Sequence, residues 1–336
     1  MTQPTATPAT NASKRMGQRV WMGLMLVSIA SLLIWLGGWW WTMATMIIMV
    51  VGFRELAELF KAKAIQPSGG MVLAVSLVMA VVAHLNGADY LLPLLTFGFV
   101  AGVLRLLFRP PIHSQITPLD PTTDRPGAGI YDVAGTLLAL IYVGFLPLHY
   151  ILLRHLLPNT VVKVASWADI VPTGWPHVFQ VESGAFFVWM TVAVIAASDV
   201  GAYFVGKAFG RHPLYPALSP RKTLEGAIGG GLFGLLVASG FLLSPIFDWQ
   251  RTVPLALLLV VVAQLGDLFE SLIKRDAGVK NSSELLASHG GLLDRLDSYM
   301  FCGVVSYYYI RWVILQEGLA QEILQWPVFH QWFMGS

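Results

Sequence analysis

The 336-residue chain is 56% hydrophobic and only 12% charged, with a mean hydropathy of +0.65. Soluble domains carry roughly 25% charged residues, so this composition excludes an ordinary water-soluble enzyme and points to a polytopic membrane protein. A net charge of +2 with scattered basic residues excludes a nucleic-acid binder, and the single cysteine, Cys302, excludes an intrachain disulfide or a cysteine-built metal site.

In chain order, residues 1–19 read as a disordered cytoplasmic N-terminal arm ending in Lys14, Arg15 and Arg19. The apolar run that follows is long enough to span and shows no small-residue cleavage site, so it reads as a retained first helix rather than a signal peptide. A helix needs about 20 apolar residues to cross roughly 30 Å of hydrocarbon. On that ruler nine spans fall near 20–37, 39–60, 70–86, 90–108, 130–153, 184–206, 224–246, 253–274 and 297–316. Gly37 and Gly38 turn the chain between the first two, and Trp39, Trp40 and Trp41 suit the interface. The expected fold is all-α, a polytopic transmembrane helical bundle. It divides into N-terminal transmembrane helices over 20–180, a C-terminal transmembrane catalytic region over 181–316 and an interfacial tail over 317–336.

With the N-terminus inside, 17 Lys and Arg fall on the inner side and 4 on the outer: Arg154, Lys163, Arg251 and Arg311. That bias follows the positive-inside rule, and an odd span number sends the C-terminus outside. Three inner segments, 109–129, 207–223 and 275–296, are too long for simple hairpins, and such loops are usually functional or disordered.

Polar residues gather in three places on that inner face. In "QLGDLFESLIKRD", Asp267, Glu270, Ser271 and Lys274 stand at i, i+3, i+4 and i+7, forming one helical stripe. Acids this close to an apolar core are costly and mark function; the plainer alternative is a helix end where Lys274 pairs with Asp267. In "HGGLLDRLDS", Asp294 and Asp297 project from adjacent turns of one face, and Gly290 and Gly291 leave backbone N–H groups open to a phosphate. The alternative there is a helix start favouring first-turn acids. In residues 198–231, Asp199, Tyr203 and Lys207 share a face, followed by Ser219, Arg221, Lys222 and Thr223 just before a helix start. Hydroxyls and cations there suit an anionic phosphate chain, against the plainer reading of a positive-inside loop.

"GAYFVGKA" matches G-x-x-x-x-G-K, but Ala208 replaces the hydroxyl that should ligate magnesium, and the stretch sits in an apolar helix rather than after a strand. It is not a nucleotide-binding loop of that type. Gly226 and Gly230 have the spacing of a close helix contact, within the chain or across a homodimer. Most histidines, such as His84, His149 and His155, read as isolated interfacial groups, whereas His289 abuts the two glycines and the acid pair.

Residues 271–298, "SLIKRDAGVKNSSELLASHGGLLDRLDS", resemble the signature of the phosphatidate cytidylyltransferases: S-x-x-K-R, four residues, K-D, then P-G-H-G-G-x-x-D-R-x-D. Ser271, Lys274, Arg275, Lys280, His289, Gly290, Gly291, Asp294, Arg295 and Asp297 match in type and spacing, and "SPRKTLEGAIGG" upstream is also similar. Asn281 stands where that pattern has Asp, and Ala287–Ser288 replace Pro-Gly.

The resemblance implies transfer of a cytidylyl group from CTP to phosphatidic acid, giving CDP-diacylglycerol and pyrophosphate, in a bacterial inner membrane with the site cytoplasmic. It implies Mg²⁺ on Asp267 and Asp294, with Asp297 as a further ligand or one for a second cation. Lys274, Arg275, Lys280 and Arg295 would hold phosphates, as would Lys222 with Ser219 and Thr223. Asp199 would orient Lys222 or bind nucleotide, and His289 would be an orienting donor. Asn281 also admits two alternatives: a CTP-dependent enzyme acting on another lipid phosphate or polyisoprenoid, and a catalytically silent membrane scaffold.

Overall fold

The computed structural model describes residues 23, 25–109, 128–165, 178–242, 246–283 and 290–316. The N-terminal arm, His289, Ala287–Ser288 and the tail 317–336 lie outside them. Each apolar segment is helical where described. The order is α1 (Met25–Leu36), α2 (Gly38–Ala62), α3 (Gly69–Asn86), α4 (Leu91–Leu107), α5 (Ile130–Ala139), α6 (Leu148–Arg154), α7 (Ser183–Phe209), α8 (Leu224–Phe241), α9 (Trp249–Asp276) and α10 (Leu293–Tyr309). A π-helical stretch over Leu140–Phe145 joins α5 to α6, and another, Ile310–Ile314, extends α10. Among the described residues, α3, the α5–α6 unit, α7, α8 and α9 are long and apolar enough to cross a membrane.

The all-α expectation needs one correction. Two short antiparallel hairpins occupy the long connections: β1 (Val161–Ala165) pairs with β2 (Val178–Glu182), and β3 (Pro213–Tyr215) with β4 (Ser219–Thr223). "VVKVA" and "VFQVE" are rich in β-branched and aromatic residues, which favour strands, in connections too short on apolar length to span. Helix starts are capped as their sequences allow. Thr223 Oγ1 accepts from Gly226 N at 3.1 Å to open α8, and Asp248 Oδ1 accepts from Arg251 N at 2.9 Å to open α9.

In lipid the hydrophobic effect does not drive helices together, so close packing and interhelical hydrogen bonds must. Gly226 and Gly230 do this within the chain: a Cβ on either would come within 2.8 Å of Ala202 O or 2.9 Å of Ser198 O, so α8 lies directly on α7. Of the two contacts the spacing allowed, this is the one within the chain. Gly266 lets α9 approach α10, since a Cβ there would meet Asp297 O at 2.6 Å. Thr191 Oγ1 of α7 donates to Ser306 Oγ of α10 at 2.8 Å. Met49, Leu56, Val194, Leu259, Ala263 and Met300 are buried at the centre, while Leu92, Phe97, Leu236, Val261 and Leu265 remain exposed, as lipid-facing side chains must be.

Contacts sort the charged residues to two ends of the bundle. One end holds Lys63 against Asp276 at 3.0 Å, Arg109 on Gln66 O at 2.8 Å, and Lys274 against Asp294 at 2.6 Å. The opposite end holds Arg154 paired with Glu182, Arg251 on Ile314 O, and the edge-to-face rings of His84 and His155.

Candidate active site

The site lies where the last turns of α9 meet the first turns of α10. Asp267, Glu270, Ser271 and Lys274 do form a stripe on α9: Ser271 Oγ donates to Asp267 Oδ1 at 3.4 Å, and Lys274 Nζ stands 3.4 Å from Glu270 Oε2. Lys274 is buried and reaches across to Asp294 Oδ1 of α10 at 2.6 Å. Asp267 does not pair with Lys274. Its Oδ2 takes Lys222 Nζ at 2.6 Å, which brings the end of the β3–β4 hairpin onto α9. Asp297, one turn beyond Asp294, lies within electrostatic range of Asp267, Glu270 and Lys274, and one of its oxygens accepts from Ser298 N at 2.7 Å. Asp199 of α7 is exposed and lies within electrostatic range of Asp297, Asp267 and Lys222. The side chains of Asp199, Lys222, Asp267, Lys274, Asp294 and Asp297 therefore come together, from four elements.

Other candidates stand further out. Thr223 spends its hydroxyl capping α8, so it serves the helix first. Ser219 is half-buried in β4. Arg275 is exposed and donates to Leu218 O at 3.5 Å and Val279 O at 3.2 Å, bracing the β3–β4 hairpin and the turn after α9. Lys280, Asn281 and Arg295 are exposed on the rim. Tyr203 and Lys207 share a face as expected, with Nζ 5.8 Å from the ring centroid, but both point outward.

The glycine pair corrects one expectation. The backbone N–H groups at the start of α10 do not stand open to a phosphate. Gly291 N donates to Asp294 Oδ2 at 2.8 Å, Leu292 N to Glu55 Oε1 at 2.8 Å, and Leu293 N to Glu55 Oε2 at 2.7 Å. Glycine is required because two carboxylates press in: a Cβ on Gly290, whose φ is +80°, would meet Asp294 Oδ2 at 2.7 Å, and one on Gly291 would meet Glu55 Oε2 at 2.7 Å. Asp294 Oδ2 also accepts from Ser282 N at 3.0 Å and Ser282 Oγ at 3.1 Å.

The donor set suits a hard divalent cation, which prefers carboxylate oxygens. Glu270 is the clearest mark: it is 1% exposed, its carboxyl is within hydrogen-bond reach of Asp297, and its paired cation, Lys274 Nζ, stands at 3.4 Å. A buried carboxylate without close compensation costs several kcal/mol, so this cluster favours a cation or a shared proton. Among the described residues no three His, Cys, Asp or Glu side chains already stand in coordinating positions. Lys222 and Lys274 occupy part of that role, neutralising Asp267 and Asp294. The residues fit the ion in chemistry, with Asp267 and Asp297 better placed than Asp294, whose Oδ2 is fully engaged.

Two residues of the N-terminal half escaped the sequence reading. Glu55 of α2 is 4% exposed and contacts the start of α10. Its signal was weak, because Arg54, Glu58 and Lys61 share the same helix end and Glu55 reads as one more solvated charge beside them. Tyr142, in the π-helical stretch, is 1% exposed, its ring rests on Phe269 (5.3 Å between centroids) and Phe301 (6.0 Å), and its hydroxyl has no hydrogen-bond partner among the described residues. It lies within electrostatic range of Glu270, Asp297, Asp267 and Asp294. Nothing local announces it; π-helical insertions cluster at functional sites, but this one is visible only in the fold.

Comparison with known proteins covers the whole region. A family model described as the cytidylyltransferase family matches residues 17–313. A phosphatidate cytidylyltransferase of Synechocystis sp. is 33% identical over 87% of this chain and 96% of its own length. One from Arabidopsis thaliana, chloroplastic, is 32% identical over 88% of this chain and 71% of its own. A phosphatidate cytidylyltransferase of Mycobacterium bovis is 35% identical over 47% of this chain and 50% of its own.

Proposed function

This chain belongs to the cytidylyltransferase family, and from that membership we infer that it transfers the cytidylyl group of CTP to phosphatidic acid. A phosphate oxygen of the lipid attacks the α-phosphorus of CTP, and the bond from that phosphorus to its bridging oxygen breaks. CDP-diacylglycerol forms and pyrophosphate leaves. The observation that carries this reading is the convergence of Asp199, Lys222, Asp267, Lys274, Asp294 and Asp297 at one end of an apolar bundle.

Both substrates are polyanions, so the work is positioning and neutralising charge rather than proton transfer. Lys222 and Lys274, now held by Asp267 and Asp294, are the two cations nearest the cleft and would exchange part of that pairing for phosphate oxygens. Bound Mg²⁺ would shield the triphosphate and stabilise charge on the leaving pyrophosphate. Asp267 and Asp297 would hold it, and Asp294 would offer Oδ1 in exchange for Lys274. A second cation would suit Glu270. Arg275, Lys280 and Arg295 line the rim where CTP enters, with Ser219 beside them. Asp199 would steady Lys222 once Asp267 turns to the metal.

The finer topology belongs to the same proposal. Nine spans, with the acid-rich end and the N-terminus in the cytoplasm and the C-terminus outside, agree with the segregation of basic residues. A bacterial inner membrane is the setting for such a chain. The deciding experiment is mass-spectrometric product analysis of the purified protein with CTP, phosphatidic acid and Mg²⁺. CDP-diacylglycerol with stoichiometric pyrophosphate is expected; its absence, or a product formed only with another lipid phosphate, overturns the assignment.

A further inference from the structure

Glu55 stands 227 residues before Ser282 in the chain, yet it closes the loop and helix start on which the site depends. Oε1 accepts from Leu292 N at 2.8 Å and from Ser283 Oγ at 2.6 Å. Oε2 accepts from Leu293 N at 2.7 Å and from Ser282 Oγ at 3.2 Å. Four donors thus converge on one buried carboxylate, two from the first turn of α10 and two from the turn that follows Lys280 and Asn281. Ser282 in turn donates to Asp294 through both N and Oγ, so Glu55 and Asp294 share one hydroxyl.

The arrangement is what a helix N-terminus does with an external anion, except that the anion comes from the chain itself. We propose that Glu55 is a positioning residue for cytidylyl transfer. By filling the anion position at the start of α10, it fixes the rotation of that helix and the course of the 276–283 turn. It thereby sets where Asp294 and Asp297 point and where Lys280 sits on the rim. This rests on the reading of the site given above. It has a second consequence: phosphate is directed to the lysines of the cleft rather than to the backbone of the glycine pair, whose partners are already taken. It also makes the N-terminal helices part of the reaction, since α2 supplies the group that aligns α10.

A carboxylate can satisfy all four donors because both oxygens only accept. An amide cannot: one of its two ends is a donor and would face N–H or O–H groups head on. Aspartate keeps both acceptors on a stem one methylene shorter. The order Glu > Asp > Gln is therefore diagnostic, since a residue that merely filled space would tolerate Gln best.

The test uses full-length protein in lipid nanodiscs carrying Glu55→Asp, Glu55→Gln or Glu55→Ala, each checked for thermal unfolding. Misplacement of reacting groups by about 1 Å costs on the order of 100-fold. Glu55→Gln should lose about that in kcat with KM for CTP changed by less than about threefold, Glu55→Asp should recover at least about tenfold of the loss, and the Mg²⁺ concentration for half-maximal rate should rise in Glu55→Gln. Amide exchange over 290–294 should accelerate in Glu55→Gln and Glu55→Ala without any substrate present. Wild-type-like kcat in a folded Glu55→Gln, equal losses in Asp and Gln, or unchanged exchange would overturn the proposal. A wild-type protein that makes no CDP-diacylglycerol would instead sink the reaction assigned above, and the exchange experiment would still decide whether Glu55 holds α10.

Discussion

The two polar ends of the bundle are built on opposite terms. At one end Arg154, 5% exposed, meets Glu182 and donates to Ile34 O at 3.0 Å, and Gly37 leaves room for its guanidinium. His84 Nδ1 meets Thr42 Oγ1 at 2.8 Å, and Arg251 pairs with Asp248 and reaches Ile314 O. Each of these charges or rings has a specific partner. At the other end, Asp199, Asp267, Glu270, Asp294 and Asp297 gather around Lys222 and Lys274, so negative charge exceeds positive among these seven. The first arrangement ties α1, α6 and β2 together through the Arg154 guanidinium. The second remains under-neutralised: the Glu270 and Asp297 carboxyls crowd each other, and among the described residues the buried Tyr142 hydroxyl has no hydrogen-bond partner. Folding alone gives no reason to keep such a cluster; the binding of cations and polyphosphates proposed above does.

The difference is open to direct attack. Asp297→Asn should show the greatest loss, about 1,000-fold in kcat or ~4 kcal/mol of transition-state stabilisation, measured as pyrophosphate release. A loss below tenfold would remove Asp297 from the metal site. Asp267→Asn should cost about 100-fold and raise the Mg²⁺ requirement, with Lys222→Met of similar size but an unaltered Mg²⁺ requirement; a titration of rate against Mg²⁺ separates the two. Tyr142→Phe removes only a hydroxyl and should lower kcat about tenfold while leaving the thermal midpoint unchanged or slightly raised, because an unpaired buried OH is lost. Arg154→Leu tests the closed end. Stability should fall by about 2 kcal/mol, the scale for hydrogen bonds made by a charged group, because Glu182 is half exposed and stays solvated, while turnover per folded molecule stays at the wild-type value. If the order of these effects on turnover were reversed, the division of labour between the two ends would be wrong.

Much of the site could be read directly from spacing. The stripe Asp267–Glu270–Ser271–Lys274 and the pair Asp294 and Asp297 depend on helical periodicity, which a linear sequence displays. Thr223 shows where such reading stops: a hydroxyl beside two cations suggests phosphate, but its hydrogen bond to Gly226 N serves the helix start. Gly290 and Gly291 show the same limit, because absent side chains reveal close approach without saying what approaches. Glu55 and Tyr142 lie 212 and 125 residues before Asp267, as their numbers give directly. No local pattern connects residues at such separations.

Composition and period therefore settled a helical membrane protein, its apolar segments, and the acids and lysines that gather at one polar end, since these follow from local chemistry and from what a bilayer tolerates. Packing decided which lysine neutralises which carboxylate, what fills the anion position at the head of α10, and that α7 and α8 spend their glycines on each other. Those outcomes depend on distances between helices far apart in the chain, and such distances exist only once the bundle has closed.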